Sequence, residues 1–248
     1  ILDISKQGHQ PMESHNSKYV IVFNGEIYNF LELRKVLKKR GYKFKGSSDT
    51  EVILAAINEW GLVKAVQSFD GMFSFALWDK AEKSLHLCRD RIGEKPLYYG
   101  WNQNTFFFSS ELKALRKHPL FNPTIDLDAL NSYVRLNYIP TPHSIYKSIH
   151  KLEPGTIFSL SWPKFESNTI IYWSAYDAVN ESLNSQFRSS ENEIMELLDD
   201  ALRHSVKSRL VSDVPVGAFL SGGIDSSTIV ALMQAQNSIP VKTFTVGF

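Results

Sequence analysis

Val214-Pro215-Val216-Gly217-Ala218-Phe219-Leu220, followed by Ser221-Gly222-Gly223-Ile224-Asp225-Ser226-Ser227, reads as a buried strand running into a glycine-rich turn. From about Ser226 onward, Ile229, Val230, Leu232 and Met233 fall at helical spacing. Two glycines allow a tight turn whose backbone N–H groups approach an anion. The positive end of the following helix faces the same point, and Ser221, Ser226 and Ser227 add hydroxyl donors. No lysine of the Gly-x-x-x-x-Gly-Lys-Ser/Thr type is present, and the pattern is not Gly-x-Gly-x-x-Gly. The strand–turn–helix order predicts a parallel α/β unit with an anion cradle. The plain alternative is a serine-capped turn.

Upstream of this segment, Ser190 and Glu193 form a capping-box pattern. It opens a helix to about Leu210, with Ile194, Leu197, Leu198, Ala201 and Leu202 in one stripe. Downstream, Val241 to Val246 reads as a second strand. The polar, aperiodic stretch Ser174 to Ser190 reads as a linker. The expected division is 1–175, a linker over 176–189, and 190–248.

In the first part, Tyr19 to Phe23 reads as a strand ending in a turn at Asn24-Gly25-Glu26. Asn29, with Glu32 three residues on, predicts a second capping box, and Leu31, Leu33, Val36 and Leu37 form that helix's apolar side. Asp49 starts a helix to Trp60. Met72 to Trp78, Ser84 to Cys88, Pro96 to Trp101 and Thr105 to Phe108 read as four antiparallel strands in a meander. Helices are expected over 111–117 and 127–134, and strands near 156–160 and 169–172.

The chain has 248 residues, a net charge of +1 and one cysteine. That charge argues against a broad nucleic-acid surface. The local basic run of Lys35, Lys38, Lys39, Arg40, Lys43 and Lys45 reads as a solvated helix face and loop. No apolar stretch approaches the ~18 residues of a membrane span. A lone Cys88 excludes an internal disulfide framework and fits a reducing, cytoplasmic setting. Because the chain opens at Ile1 inside an apolar run and stops at Phe248 at the end of another, it reads as a fragment of a longer protein.

The Ser-Gly-Gly-Ile-Asp-Ser loop resembles the signature of ATP pyrophosphatases, which cleave ATP between its α and β phosphates. Asn24-Gly25-Glu26-Ile27-Tyr28-Asn29, Ser48-Asp49-Thr50-Glu51, Gly71-Met72-Phe73-Ser74-Phe75-Ala76 and Arg89-Asp90-Arg91-Ile92-Gly93-Glu94-Lys95-Pro96 resemble the class II glutamine amidotransferase domain. Together, in this order, they are similar to the glutamine-hydrolysing asparagine synthetase family. The resemblance implies a partial α-β-β-α sandwich, that is, an α+β N-terminal-nucleophile hydrolase fold. The beginning of an α/β parallel-sheet ATP-pyrophosphatase domain would follow it.

It also implies roles. Asn24 (side-chain amide) and Gly25 (backbone N–H) would form an oxyanion hole, the kind of donor pair that amide hydrolysis needs. Glutamine would be held by Ile1, Leu2, Asn24, Gly25, Glu26 and Asp49, the last two carboxylates taking its α-amino group. ATP would meet Leu220, Ser221, Gly222, Gly223, Ile224, Asp225, Ser226, Ser227 and Val246, with Asp225 as a Mg²⁺ ligand. The expected reaction is ATP-dependent amidation of aspartate through an acyl-adenylate, with ammonia from glutamine. The homodimer is the assembly this resemblance allows.

The family's nucleophile is an N-terminal cysteine whose own α-amine acts as base. Cys88 is internal to an apolar strand and reads as core filler. The alternatives are a relative amidating another carboxylate, a β-lactam-synthetase-like enzyme with a retired first site, and a non-catalytic binding module.

Overall fold

The computed structural model describes residues 3, 5–184 and 189–247. Two expected glutamine contacts, Ile1 and Leu2, therefore lie outside the described residues, as do 185–188 of the expected linker.

The chain divides into two compact units, one spanning Ser5–Asn180 and the other beginning at Glu181. In chain order the elements are β1 (Met12–Glu13), β2 (Tyr19–Ile27), α1 (Phe30–Lys39), α2 (Asp49–Trp60), α3 (Leu62–Ser68), β3 (Gly71–Asp79), β4 (Ser84–Arg89), β5 (Tyr98–Asn102) and β6 (Thr105–Ser109). Then come α4 (Leu112–Leu115), α5 (Leu127–Leu136), β7 (Ile149–Lys151), β8 (Thr156–Ser161), β9 (Ser167–Ile171) and α6 (Ala175–Asn184). The second unit carries α7 (Glu191–Ser208), β10 (Gly217–Phe219), α8 (Ile224–Ala235) and β11 (Lys242–Phe244).

In the first unit, β1-β2-β3-β4-β8-β9 form one antiparallel sheet and β6-β5-β7 a second. The register Ile21↔Leu77, Phe75↔Cys88 and Cys88↔Ile157 places these residues on one face of the large sheet. The helices cover that face, where the Phe69 ring at the end of α3 meets Phe73 edge-on at 6.0 Å. From the helices, Phe30, Leu33, Leu37, Val52, Ile53, Ala56, Ile57 and Val66 are buried. The opposite face carries Ala76, Leu87, Phe158 and Leu160, packed on Tyr99, Trp101, Phe106 and Phe108 of the second sheet. That is a sheet-on-sheet core, and each large side chain buried in it contributes about 1.5–3 kcal/mol. The outer face of the second sheet packs Phe107 and Ile149 against Leu115 of α4 and Phe121. The layers are thus helix, sheet, sheet, helix.

Several expectations change. The four strands from Gly71 do not form one meander, because β5 and β6 belong to the second sheet. The chain crosses between sheets over 90–97, and Arg89 and Asp90 clamp that crossover. Arg89 donates from Nε to the Lys95 carbonyl, from Nη1 to Leu152 and from Nη2 to Gly93, each at 2.7 Å. The fully buried Asp90 carboxylate accepts the Phe73, Glu94 and Lys95 N–H groups at 3.1, 2.9 and 2.9 Å.

Asn29 does precede α1, but its side chain makes no cap. It donates to the Ser68 carbonyl and accepts the Asp70 N–H instead, so no capping box forms. Leu31 and Val36 are exposed, and Phe30 takes their place in the core. Part of the expected linker is helical, as α6.

In the second unit the Ser190–Glu193 capping box has both bonds in place. The helix it opens packs through its last turns: Leu202, Val206 and Leu210 meet Leu232 and Met233 of α8. Ile194, Leu197 and Leu198 of the stripe are exposed. Among the described residues no helix is long and apolar enough to cross a membrane.

Candidate functional site

Asn24-Gly25-Glu26 is not a turn. All three residues lie inside β2, paired with Ser74, Phe73 and Met72 of β3. Gly25 is required there, because a Cβ would sit 2.1 Å from the Met72 carbonyl oxygen and 2.7 Å from Phe73 Cα, at a φ of +150°. The Asn-Gly pair that suggested a hairpin turn instead permits two strands to approach closely.

The direction of the β2 donors follows from strand geometry. At one end of the ladder the Tyr28 N–H donates to the Asp70 carbonyl, and at the other the Lys80 N–H donates to the Lys18 carbonyl. Mutually bonded pairs alternate in an antiparallel ladder, so odd-numbered residues of β2 turn their N–H groups away from β3. Those groups are occupied in sequence. The Tyr19 N–H donates to Ser14 Oγ at 2.9 Å, Phe23 to Gln10 Oε1 at 2.6 Å and Ile27 to Asp49 Oδ2 at 3.0 Å. Between the last two, the Gly25 N–H has no acceptor among the described residues. It is an open donor on a side of β2 otherwise closed by β1 and by these side chains.

The Asn24 side chain stands on the sheet-to-sheet face of β2, in register with Ser74. Its Nδ2 donates to Ser110 Oγ at 3.1 Å, just past the end of β6. Gln10, Val22, Asn24, Ser74, Leu97 and Ser110 are among the residues lining a cavity of about 270 Å³. That is near the small end of ligand-sized pockets.

Asp49 is the first residue of α2, and Ser48 rather than Asp49 supplies the side-chain cap. The Asp49 carboxyl is buried, and burial pushes its pKa up to about 6, against a pull downward from the Ile27 N–H and with a further push from the neighbouring Glu26. The N–H groups of Thr50 and of Asp49 itself pull in the same downward direction, and a carboxylate still raised by burial gains from an arriving cation. Asn24, Gly25, Glu26 and Asp49 are therefore brought to one end of β2.

Cys88 is elsewhere. It is fully buried on the helix-covered face, and burial holds its thiol well above the usual range. It is packing, not a nucleophile. A larger groove of about 740 Å³ lies between β1, the α1–α2 loop and α2, with Met12, Tyr42, Phe44 and Leu54 in its lining. It includes none of the expected site residues.

Sequence reasoning missed Ser110 and Gln10, which lie far from Asn24 in the chain and sit in no local pattern. The motif that carried Arg89 and Asp90 was visible, but its structural purpose was not.

In the second unit β10 and β11 pair in parallel, with Gly217↔Lys242 and Phe219↔Phe244. Leu220 and Val246 both lie just beyond the carboxyl ends of these strands, the edge where open α/β sheets bind ligands. The Leu220 N–H donates to the Phe244 carbonyl at 2.9 Å, and the Leu220 carbonyl accepts from Thr245 Oγ1 at 2.7 Å. Ser221 Oγ and Ser226 Oγ are 3.1 Å apart, and Ser226 Oγ donates to the Gly223 carbonyl. Gly222 has φ +85° with open space around it.

The helix starts at Ile224, earlier than expected, with Gly223 as a cap that offers no side-chain acceptor. The first-turn N–H groups thus have no side-chain cap. Asp225 lies inside the first turn, and Gly223 rather than Asp225 occupies the cap position. Among the described residues no group of three potential ligands can hold a metal ion.

The model of the glutamine amidotransferase domain matches residues 1–176, and the asparagine synthase model matches 197–248. A protein of Methanocaldococcus jannaschii described as a putative glutamine-hydrolysing asparagine synthetase 2 is 40% identical, with the match covering 100% of this chain and 49% of that protein. Glutamine-hydrolysing asparagine synthetase 1 of Bacillus subtilis is 37% identical over 100% of this chain and 37% of its own length. The chain spans about half the length, or less, of these curated relatives. The layers described above form an α+β sandwich, and the chain belongs to the glutamine amidotransferase domain family.

Proposed function

We propose that this chain forms part of a glutamine-dependent asparagine synthetase, residues 1–175 belonging to the glutaminase domain and 190–248 to the ATP-binding domain, with 176–189 between them. The observation that carries the first half is the open Gly25 N–H beside the Asn24 amide, on a side of β2 where Gln10 and Asp49 occupy the flanking donors. In this reading a thiolate from outside the chain attacks the glutamine side-chain carbonyl. Gly25 N–H and Asn24 Nδ2 stabilise the oxygen that becomes negative. Glu26 and Asp49 hold the substrate ammonium, and Ile1 and Leu2 complete the contact. Ammonia leaves, and water releases glutamate from the thioester.

The second half rests on the uncapped first turn of α8, with Leu220, Val246 and the segment from Ser221 to Ser227 around the nucleotide. One carboxylate, Asp225, suits Mg²⁺, which commonly keeps several waters and takes one or two carboxylates together with substrate phosphates. The metal would neutralise charge on the departing pyrophosphate. Aspartate and ATP would give aspartyl-adenylate and pyrophosphate, and ammonia would then give asparagine and AMP. A free carboxylate resists ammonia and the adenylate does not.

The test is asparagine formation by the full-length protein that carries this chain, with ATP, aspartate and either glutamine or ammonium. Formation of asparagine with both nitrogen sources supports the reading. Failure with aspartate under both conditions rejects it.

A further inference from the structure

Asn24 is held from the opposite sheet. Its Nδ2 donates to Ser110 Oγ at 3.1 Å, across 86 residues of sequence. Asn24 belongs to the six-stranded sheet, and Ser110 directly follows β6 of the three-stranded one. Ser110 stands on a fixed base. Its neighbour Ser109 pairs with Tyr98 in the sheet, and the Ser109 hydroxyl both donates to the Glu111 carbonyl and accepts the Glu111 N–H, at 3.0 and 3.2 Å. Ser109 and Ser110 both line the cavity with Asn24, and the Ser110 hydroxyl is the one that accepts from the Asn24 amide.

We infer that Ser110 is a positioning residue for glutamine hydrolysis, fixing the plane of the Asn24 amide so that its second Nδ2–H serves the reacting oxygen. This rests on the role proposed above for Asn24. An amide group has two N–H donors, and its terminal torsion is broad when nothing holds it. Engaging one N–H with an acceptor on a rigid element orders the other before substrate arrives. A preorganised donor costs no reorientation in the transition state, so the benefit appears in kcat more than in KM. The contact also bridges the two sheets, so the oxyanion donor is set by how the sandwich packs and not by β2 alone.

The experiment measures glutamate release by the full-length protein for Ser110→Ala, Ser110→Thr, Asn24→Ala and the double variant Asn24→Ala/Ser110→Ala. Ser110→Ala should lower kcat about 3- to 10-fold with KM little changed, the scale of one net hydrogen bond. Ser110→Thr, which keeps the hydroxyl, should restore most of the loss. In the Asn24→Ala background, removing the Ser110 hydroxyl should cost nothing further, because the group it positions is gone. An unchanged kcat in Ser110→Ala, alongside a large loss in Asn24→Ala, overturns the positioning role and leaves the oxyanion assignment standing. A full extra loss in the double variant shows Ser110 acting independently of Asn24, which also overturns it. A parallel loss of ammonium-driven asparagine synthesis in Ser110→Ala marks a folding effect and overturns it as well. No loss in Asn24→Ala itself rejects the underlying reading instead.

Discussion

Asp49 Oδ2 accepts the backbone N–H of Ile27 at 3.0 Å, which ties the first turn of α2 to the last residue of β2. The bond closes one side of the Gly25 donor and leaves a buried carboxyl beside Glu26. Its folded pKa of about 6 lies above the ordinary 3.8. Between those values the folded chain keeps a proton that the unfolded chain has released. Stability therefore falls as pH rises across that window, by roughly 3 kcal/mol in all, and the cost is fully present above it.

The first prediction follows from that sign. Asp49→Asn keeps an acceptor for Ile27 and removes the ionisation. Its urea midpoint should exceed that of the parent at pH 8 and approach it at pH 4. In the full-length protein the same change should raise KM for glutamine roughly 30-fold or more, because the buried counter-charge for the substrate ammonium is lost. With Asp49 intact, kcat/KM for glutamine should fall as pH drops below about 6. A variant with unchanged KM removes Asp49 from the substrate site.

Asn24 supplies the second prediction. Asn24→Ala in the full-length protein should lower glutaminase kcat by roughly 10²–10³, the scale of one lost oxyanion donor. Asparagine synthesis driven by ammonium should persist, since it bypasses that step. Joint loss of both activities makes Asn24 structural. Cys88→Ala, by contrast, should leave glutamine hydrolysis intact, because the buried thiol faces the helix layer and not the cavity.

Gly25 gives a stability prediction with a steric cause. In Gly25→Ala the new Cβ meets backbone, not a flexible side chain, so β2 and β3 have to separate. A loss of about 2–5 kcal/mol is expected, combining an unfavourable backbone angle with overpacking. Urea unfolding measures it directly. A change under about 0.5 kcal/mol, the range of ordinary surface substitutions, contradicts the close strand approach.

These residues also show what the sequence made legible. The Ser190–Glu193 box and the strand–turn–helix around Ser221 could be read because each is a local pattern enforced by local hydrogen bonds. Asn29 matched the same box and formed none, since Ser68 and Asp70 compete for its side chain through a tertiary contact. β5 and β6 were visible as strands, but alternation along a strand carries no record of which sheet it joins. That is set by the clamp of Arg89 and Asp90 on the crossover. Gly25 looked like a turn because Asn-Gly is a strong turn signal, and its actual constraint lies in Met72 on the partner strand. Asn24 and Asp49 were singled out through motif resemblance. Ser110 was not, because a single serine acts only through a fold that brings two sheets together.

The last prediction concerns Asp225. It lies in the first turn of α8, just after the Gly223 cap, and is exposed. In the full-length protein Asp225→Asn preserves size and hydrogen bonding while removing the charge. Folding should change little, since a first-turn carboxylate is worth only about 0.3–1 kcal/mol to the helix. Exchange of pyrophosphate into ATP in the presence of aspartate should collapse, because Mg²⁺ loses its protein carboxylate while the phosphates remain. Glutamine hydrolysis should continue, and raised Mg²⁺ should recover part of the exchange rate. Near-normal exchange in the Asn variant at ordinary Mg²⁺ concentration removes Asp225 from the metal site and leaves it as a charge favouring the helix terminus.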